Sequence, residues 1–371
     1  MDVPGIISLV NKQDRLRMSK TLLYFGPSGI GDWCFIYPSL PALLTKTSST
    51  QLTLIIPYQN SGNELLKNNP LIKEVIYLNR ETKGIGLLRY FFRWLSILTK
   101  IRKKNYSTLA VSYLSNQVDF LLLASLSGIK KRIGVLTTNS FINKVAFNEY
   151  IQFTGKIDKV NNHQAYASDI HSLMDVPPMF GRVGDKNRQK ILQHFKIKTP
   201  YLVFGIGGGR NALWRFWRPE YYARLADEFK NYSNIVLLGG GNDDAQQAEI
   251  IMQSLSSNKI INLVNQINMS DAVDIINGAS CVIGNDSGIT NIAATNHIKC
   301  LCLYGPTYPE KTGAALLGAI PVVTDTPPSC MPCFNDSLKP SSTDKPLHCT
   351  NRSCLHSLSP EEVINAFQKV D

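Results

Sequence analysis

The feature that most constrains this chain is a repeated alternation of short apolar runs with longer segments patterned as helices. In the first half, Thr21 to Gly26, Leu52 to Pro57, Glu74 to Leu78, Thr108 to Leu114 and Arg132 to Leu136 read as strands. The intervals between them are long enough for crossover helices. The second half repeats the scheme with Tyr201 to Gly205, Ile235 to Leu238, Ile260 to Leu263, Cys281 to Ile283, Cys300 to Tyr304 and Pro321 to Val323. Such alternation predicts α/β architecture, with parallel sheets covered on both faces. Two doubly wound, Rossmann-like sheets in tandem carry their ligand sites at the strand ends, facing a central cleft. A chain of 371 residues with 44% apolar content is long for a single core, so two domains are predicted, 21–180 and 186–358. Their boundary falls in the Pro- and Gly-containing stretch Pro177 to Asp185. Residues 1–20 read as an N-terminal extension and 359–371 as a C-terminal helix, with Ser359 as N-cap and Pro360 at the first helical position.

Chemistry concentrates where strands meet helices. Residues 284 to 313 read as a strand end, a polar turn, a helix start, a second strand and a second turn. Backbone N–H groups at that helix start, around Ser287 and Gly288, suit an anionic phosphate. Asp286 would repel phosphate yet can bond a sugar or ribose hydroxyl, so the pair suggests a nucleotide-sugar donor. The first strand runs into Gly26-Pro27-Ser28-Gly29-Ile30-Gly31-Asp32, with a helix expected from Trp33. This is not the dinucleotide Gly-x-Gly-x-x-Gly spacing. Asp32 is open to two readings, a helix cap or a general base at a site edge. Gly207 and Gly208, after the strand at Tyr201, can bring N–H groups to an oxyanion. Arg210, Arg215 and Arg218 read either as phosphate clamps or as surface arginines beside core tryptophans. Asn242 or Asp243, after Gly239-Gly240-Gly241, can bond ribose or base, or serve as dipole-favoured caps.

The net charge of +11 is unevenly carried, with seven basic residues and no acid from Lys83 to Lys104. Read as a helix, Arg89, Arg93, Ser96, Lys100 and Lys103 share one face, while Leu87, Phe91, Leu95 and Leu98 share the opposite one. Two roles fit, contact with anionic headgroups or a phosphorylated glycolipid, and a solvated outer face of a helix packed on a sheet. No nucleic-acid module is present. Apolar runs fall short of the ~20 residues that span a bilayer, and Met1 to Lys20 lacks a leader pattern. A cytoplasmic protein is expected, peripheral on a membrane if the basic face docks there.

Cys330, Cys333, Cys349 and Cys354 are spaced as two close pairs around a longer loop. That pattern encodes either a tetrahedral thiolate site or unpaired structural cysteines. Nothing places a thiolate beside a base, and no Asp-x-Asp is present to hold a metal-bound diphosphate.

The residues Asn285, Asp286, Ser287, Gly288, Ala293 and Ala294, followed by Tyr304, Gly305, Pro306, Thr307 and Pro309, resemble the donor-binding segment of the ADP-heptose:lipopolysaccharide heptosyltransferase family. Asn291 stands where that family commonly has His. Ile30-Gly31-Asp32 with Pro38, Leu40, Ala42 and Leu43 resembles its N-terminal signature, whose aspartate is assigned as the base. Arg215 is nearest to its Lys-x-Trp-Pro lysine, and Cys330-Met331-Pro332-Cys333 resembles a cluster that holds iron or zinc in some relatives. The resemblance implies the GT-B fold and an inverting glycosyltransferase with ADP-heptose as donor and the lipopolysaccharide inner core, at the inner-membrane surface, as acceptor. It implies no cofactor for the chemistry itself, and a structural iron or zinc at the cysteines. Other readings are a protein (autotransporter) O-heptosyltransferase of the same fold, a non-catalytic sugar-nucleotide scaffold and, more distantly, an oxidoreductase.

Overall fold

A computed structural model describes residues 21–26, 29–36, 40, 43–44, 47–57, 66, 71–79, 85–104, 106–111, 118–136, 141–152, 188–208, 213–254, 259–307, 309, 313–332, 349 and 351–369. Residues 1–20, the stretch Pro177 to Asp185, Arg210 and Cys333 lie outside them. By contacts the described residues form two compact units, one of residues 21–29 and 40–152, the other of residues 30–36 and 188–369.

The first unit opens with β1 (Thr21–Phe25), whose LLYF run is buried throughout. A continuous apolar strand of this kind needs cover on both faces. The short helix that follows, α1 (Ile30–Ile36), groups by its contacts with the second unit. Next come β2 (Gln51–Ile56), β3 (Ile72–Tyr77), α2 (Ile85–Lys103), β4 (Thr108–Val111), α3 (Val118–Leu126), β5 (Lys131–Leu136), α4 (Phe141–Ala146) and β6 (Glu149–Gln152). All strands pair in parallel, in the order β3-β2-β1-β4-β5-β6. The core joins the sheet to α2 and α3, with Phe25 and Phe120 rings 5.1 Å apart. β6 has no counterpart among the strands expected from sequence. Its Glu-Tyr-Ile-Gln run is short and polar, and it forms because β5 offers an open edge.

The second unit comprises α5 (Arg188–His194), β7 (Tyr201–Gly205), α6 (Pro219–Glu228), β8 (Asn234–Leu238), α7 (Asn242–Gln253), β9 (Ile260–Asn262), α8 (Met269–Gly278), β10 (Cys281–Asn285), α9 (Gly288–Thr295), β11 (Cys300–Leu303), β12 (Ile320–Val322), α10 (Ser353–Ser357) and α11 (Pro360–Gln368). Its parallel order is β12-β11-β10-β7-β8-β9. Numbered from its own first strand, this is 6-5-4-1-2-3, the topology of the first unit read from the other edge. In both sheets the order reverses between the first and fourth strands, where ligands of doubly wound sheets bind. α11 is held by a closed capping box, with Ser359 N–H donating to Glu362 Oε2 at 2.6 Å and Glu362 N–H donating to Ser359 Oγ at 3.2 Å. It buries Val363 and Phe367 in this unit's core, and the Phe367 ring lies 4.7 Å from that of Phe229.

At the reversal of the second sheet Gly205 and Gly284 face each other in register. A Cβ on Gly284 would stand 2.5 Å from the Gly205 carbonyl oxygen and 2.9 Å from its Cα. Gly284→Ala must therefore separate the two central strands. It is expected to lower stability by roughly 1–3 kcal/mol, the usual cost of overpacking, in reversible thermal unfolding. An unchanged Tm would contradict this strand spacing.

Candidate active site

The site is built on the C-terminal ends of β7 and β10. Asn285, the last residue of β10, is wholly buried. Its Nδ2 donates to the Ile206 carbonyl at 2.9 Å, and its Oδ1 accepts from Trp217 N–H and Tyr222 Oη, each at 3.3 Å. One amide therefore ties β10 to the end of β7 and to the Trp217 turn. Trp217 is fixed in turn by donating Nε1–H to the Leu358 carbonyl at 2.8 Å. Sequence reading placed Asn285 in a motif but gave it no task. Its task is to hold three segments in register.

Asp286 follows. The expectation of a carboxylate turned to donor hydroxyls meets a different arrangement, because the side chain is only 5% exposed and its Oδ2 accepts from Thr307 Oγ1 at 2.9 Å. A Cβ on Gly313, which has φ +73°, would stand 2.0 Å from Asp286 Oδ1. Glycine is required there both for the backbone conformation and to make room for the carboxylate. Thr307 and Gly313 thus lock Asp286, and Asp286 locks the turn. Its main-chain carbonyl accepts from Arg215 Nη1 at 2.9 Å. Arg215 ends a 3-10 turn, Leu213–Arg215, with its guanidinium 4.5 Å over the Trp214 ring. It is a half-buried arginine pinned to the turn, and its buried Nε has no hydrogen-bond partner.

Ser287 caps α9 with extended backbone, and its N–H donates to Thr290 Oγ1 at 3.2 Å. Thr290 Oγ1 donates to the Asn285 and Ser287 carbonyls at 2.9 and 3.0 Å. In the other arm Ser287 Oγ faces the Thr290 N–H across the capping box but is buried without a hydrogen bond of standard geometry. The N–H groups of Gly288 and Ile289 lack intrahelical acceptors, as in any first turn. Two donors, an open hydroxyl and a neighbouring arginine make an anion-binding corner.

Within the same unit α1 packs against α9. A Cβ on Gly31 would lie 2.9 Å from Asn291 Nδ2, one on Gly288 would lie 2.7 Å from Ile30 Cγ2, and Thr295 Oγ1 donates to the Cys34 carbonyl at 3.4 Å. Asn291 Oδ1 is buried without a partner. Asp32, next to Gly31, is partly exposed. Because α1 starts at Ile30 rather than Trp33, Asp32 sits inside the first turn and is not the N-cap. Burial pushes the neighbouring Cys34 thiol up to about 12, which keeps it unreactive.

The glycine turn after β7 differs from its expected anion-cradling role. Gly207 and Gly208 are buried, and the Asp244 carboxylate beside them accepts from Gly240 N–H at 2.6 Å. A Cβ on Gly207 would stand 2.3 Å from Asp244 Oδ2. The Asp244 carboxylate therefore packs directly against this turn. Asn242 is exposed at the start of α7, and Asp244, two residues on, was not singled out from the sequence although its acid within a Gly-Gly-Gly-Asn-Asp-Asp run was visible.

Of the basic face, Arg89, Lys100 and Lys103 are exposed, while Arg93 is half-buried and Nη1 donates to the Asn79 carbonyl at 3.1 Å. Leu87, Phe91 and Leu95 are exposed, and Leu98 alone of the expected apolar face is buried. The stripe that meets the core is Tyr90, Trp94, Ile97 and Ile101, rotated from the expected one because aromatic residues carry it. Of the cysteines, Cys330 is exposed, Cys349 is half-buried with Sγ 3.5 Å from Asn351 Oδ1, and Cys354 is buried in the core beside Gly305. Among the described residues no three His, Cys, Asp or Glu side chains form a metal-holding group. Three thiols in three different environments give no ligand set by themselves.

Two parallel sheets of the same doubly wound topology, with an amide-lined corner at a reversal point, define a protein of the GT-B fold class. Residues 95–341 match the model of glycosyltransferase family 9 (heptosyltransferase). Over 99 residues the chain is 35% identical to lipooligosaccharide heptosyltransferase 2 of Haemophilus influenzae, covering 26% of this chain and 29% of that protein. The chain thus spans under a third of that relative. It is 22% identical over 302 residues to lipopolysaccharide heptosyltransferase 2 of Escherichia coli K12, covering 78% and 84%. The solved E. coli ADP-heptose lipopolysaccharide heptosyltransferase II shares the fold with a TM-score of 0.69 at 18% identity, over 94% of this chain and 98% of that one. The chain belongs to glycosyltransferase family 9, the heptosyltransferases.

Burial raises the Asp244 pKa above its ordinary 3.8, against the lowering effect of the Gly240 amide bond. A carboxyl with a raised folded pKa binds more protons folded than unfolded between the two values, so stability falls as pH rises through that window. Asp244→Ala removes this pH dependence together with the bond to Gly240 N–H, a loss of about 0.5–1.5 kcal/mol. The expected result is a lower Tm at neutral pH and a flatter Tm against pH from acid to neutral. A variant as stable as the parent would refute the bond to Gly240 N–H.

Proposed function

We propose that the chain is an inverting heptosyltransferase that moves a heptose from ADP-L-glycero-D-manno-heptose to a hydroxyl of the lipopolysaccharide inner core. The Asp32 carboxylate takes the proton of the acceptor hydroxyl, whose oxygen attacks the anomeric carbon on the face opposite the diphosphate. The bond from that carbon to the phosphate oxygen breaks, and the electron pair leaves with ADP. Gly288 and Ile289 N–H, Ser287 Oγ and Arg215 meet the charge that develops on the leaving diphosphate, an electrostatic role that suits preset donors. Asn291 spans from the helix that binds the donor to Gly31, beside the base. Asp286 and Asn285 keep the turn in shape, and Asp244 fixes the two glycine turns near which Asn242 would meet the nucleoside. The chemistry requires no cofactor, and iron or zinc on Cys330, Cys333, Cys349 and Cys354 would be structural.

The observation that carries this reading is the group of buried polar atoms without partners, Ser287 Oγ, Asn291 Oδ1 and Arg215 Nε, around one helix start. Buried polar atoms are nearly always satisfied, so this corner is shaped for a polar ligand. ADP is expected to raise Tm by mass action more than GDP or UDP does. Asp32→Asn is expected to cut radiolabelled heptose transfer by about 10²–10⁴-fold, the usual worth of a general base, with the ADP-induced shift retained. Transfer at parental rate by Asp32→Asn would remove the base assignment. A Tm indifferent to every nucleotide diphosphate would remove the donor site.

Arg215→Ala is expected to shrink the ADP shift and to raise KM for donor, since a charge-assisted bond is worth about twice a neutral one. An unaltered ADP shift in that variant would leave the arginine a purely structural clamp on the Asp286 carbonyl.

A further inference from the structure

The first unit carries a crevice of about 690 Å³ that the reaction does not use, lined by Leu87, Leu88, Tyr90, Phe91, Trp94 and Leu122, with Asp119 at its floor. The floor is polar only in name. Tyr90 Oη donates to the Asp119 carboxylate and Trp94 Nε1–H donates to the Asp119 carbonyl at 3.1 Å. The same two bonds hold both aromatic walls in place. Around the crevice the first two turns of α2 expose large apolar side chains, with Leu88 at 59%, Phe91 at 52% and Phe92 at 60%, and α3 adds Val118 at 60%. Scattered exposed apolar residues are ordinary, but a contiguous patch this large signals an interaction surface.

Charge selects among occupants. The segment 83–104 has seven Lys and Arg and no acid, and Arg89, Lys100, Arg102 and Lys103 are exposed on the helix that carries the patch. A second copy of this chain would bring the same cations against each other. An apolar surface with an anionic margin complements both features at once, which is the chemistry of a bilayer interface rich in anionic headgroups. No described helix is long and apolar enough to cross a membrane, so the patch would lie in the interface rather than span it.

We propose that the N-terminal half of α2, with the adjoining end of α3, is a membrane-docking surface that inserts Leu88, Phe91 and Phe92 among the acyl chains of an anionic bilayer, the crevice taking up hydrocarbon and the cations of α2 meeting headgroup phosphates. This deepens the acceptor side of the proposed function, since a lipid-borne acceptor would be presented at that surface, but the observations behind it are independent of the transfer reaction.

The test is binding of the full chain to vesicles of phosphatidylglycerol and phosphatidylcholine, read by co-sedimentation and by quenching of tryptophan fluorescence with brominated acyl chains. Binding is expected with phosphatidylglycerol, weaker with pure phosphatidylcholine and reduced by salt, with quenching of Trp94 that Trp94→Phe removes. Leu88→Asp with Phe92→Asp, both at exposed positions, is expected to weaken binding at least ten-fold while leaving the ADP-induced Tm shift unchanged. Arg89→Glu with Lys103→Glu is expected to weaken it about five-fold per cation or more. Absence of vesicle binding, binding without Trp94 quenching, or sedimentation as a dimer that the Asp variants dissolve would each overturn the proposal. Loss of the ADP shift in the parent would instead strike the transferase reading, so the two failures are distinguishable.

Discussion

The hydrogen bonds of one buried amide, Asn285, are what the rest of the site depends on. Its side chain joins the end of β10 to Ile206, Trp217 and Tyr222, and each of these carries a different part of the corner. Ile206 precedes the glycine turn that Asp244 closes. Trp217 sets the segment from which Arg215 reaches the Asp286 carbonyl. A buried polar group satisfied on all sides restricts the chain to one arrangement, whereas a half-satisfied one destabilises it. The glycine pair Gly205 and Gly284 makes this possible, since no other residue allows the two central strands to meet closely enough beneath α9.

Around that buckle two carboxylates are used as internal fasteners. Asp286 is held by Thr307 and by the space over Gly313, and Asp244 accepts the Gly240 amide and packs against Gly207. Asp286 stands beside the proposed diphosphate corner and is met by the protein's own Thr307 hydroxyl. That leaves the first turn of α9 and Arg215 as the positive elements offered to a ligand. The division of labour is electrostatic, with acids facing the scaffold and amides facing the site.

The helix α2 shows how one element serves two environments. Its C-terminal half buries Ile97, Leu98 and Ile101 in the core, while its N-terminal half leaves Leu87, Leu88, Phe91 and Phe92 in solvent. A 3.6-residue period reports that apolar residues share a face but not what covers that face. The exposed cations along the same helix are what distinguish a surface meant for an anionic interface from one that simply failed to pack.

The sequence by itself determined the α/β class and nearly every central strand, because buried parallel strands are continuous apolar runs bounded by glycine and polar turns. It also marked the corner at Asp286 to Gly288, because helix starts after strand ends are where N–H groups face outward. Tertiary structure alone decided that Asp286 is a fastener, that Gly207 packs against Asp244, that Asp32 lies within its helix and that β6 extends the first sheet. Each of these depends on a partner distant in sequence, Thr307 for Asp286, Asp244 for Gly207, α9 for α1, β5 for β6. Local pattern records what a residue can do, and only packing fixes which of its partners is within 3 Å.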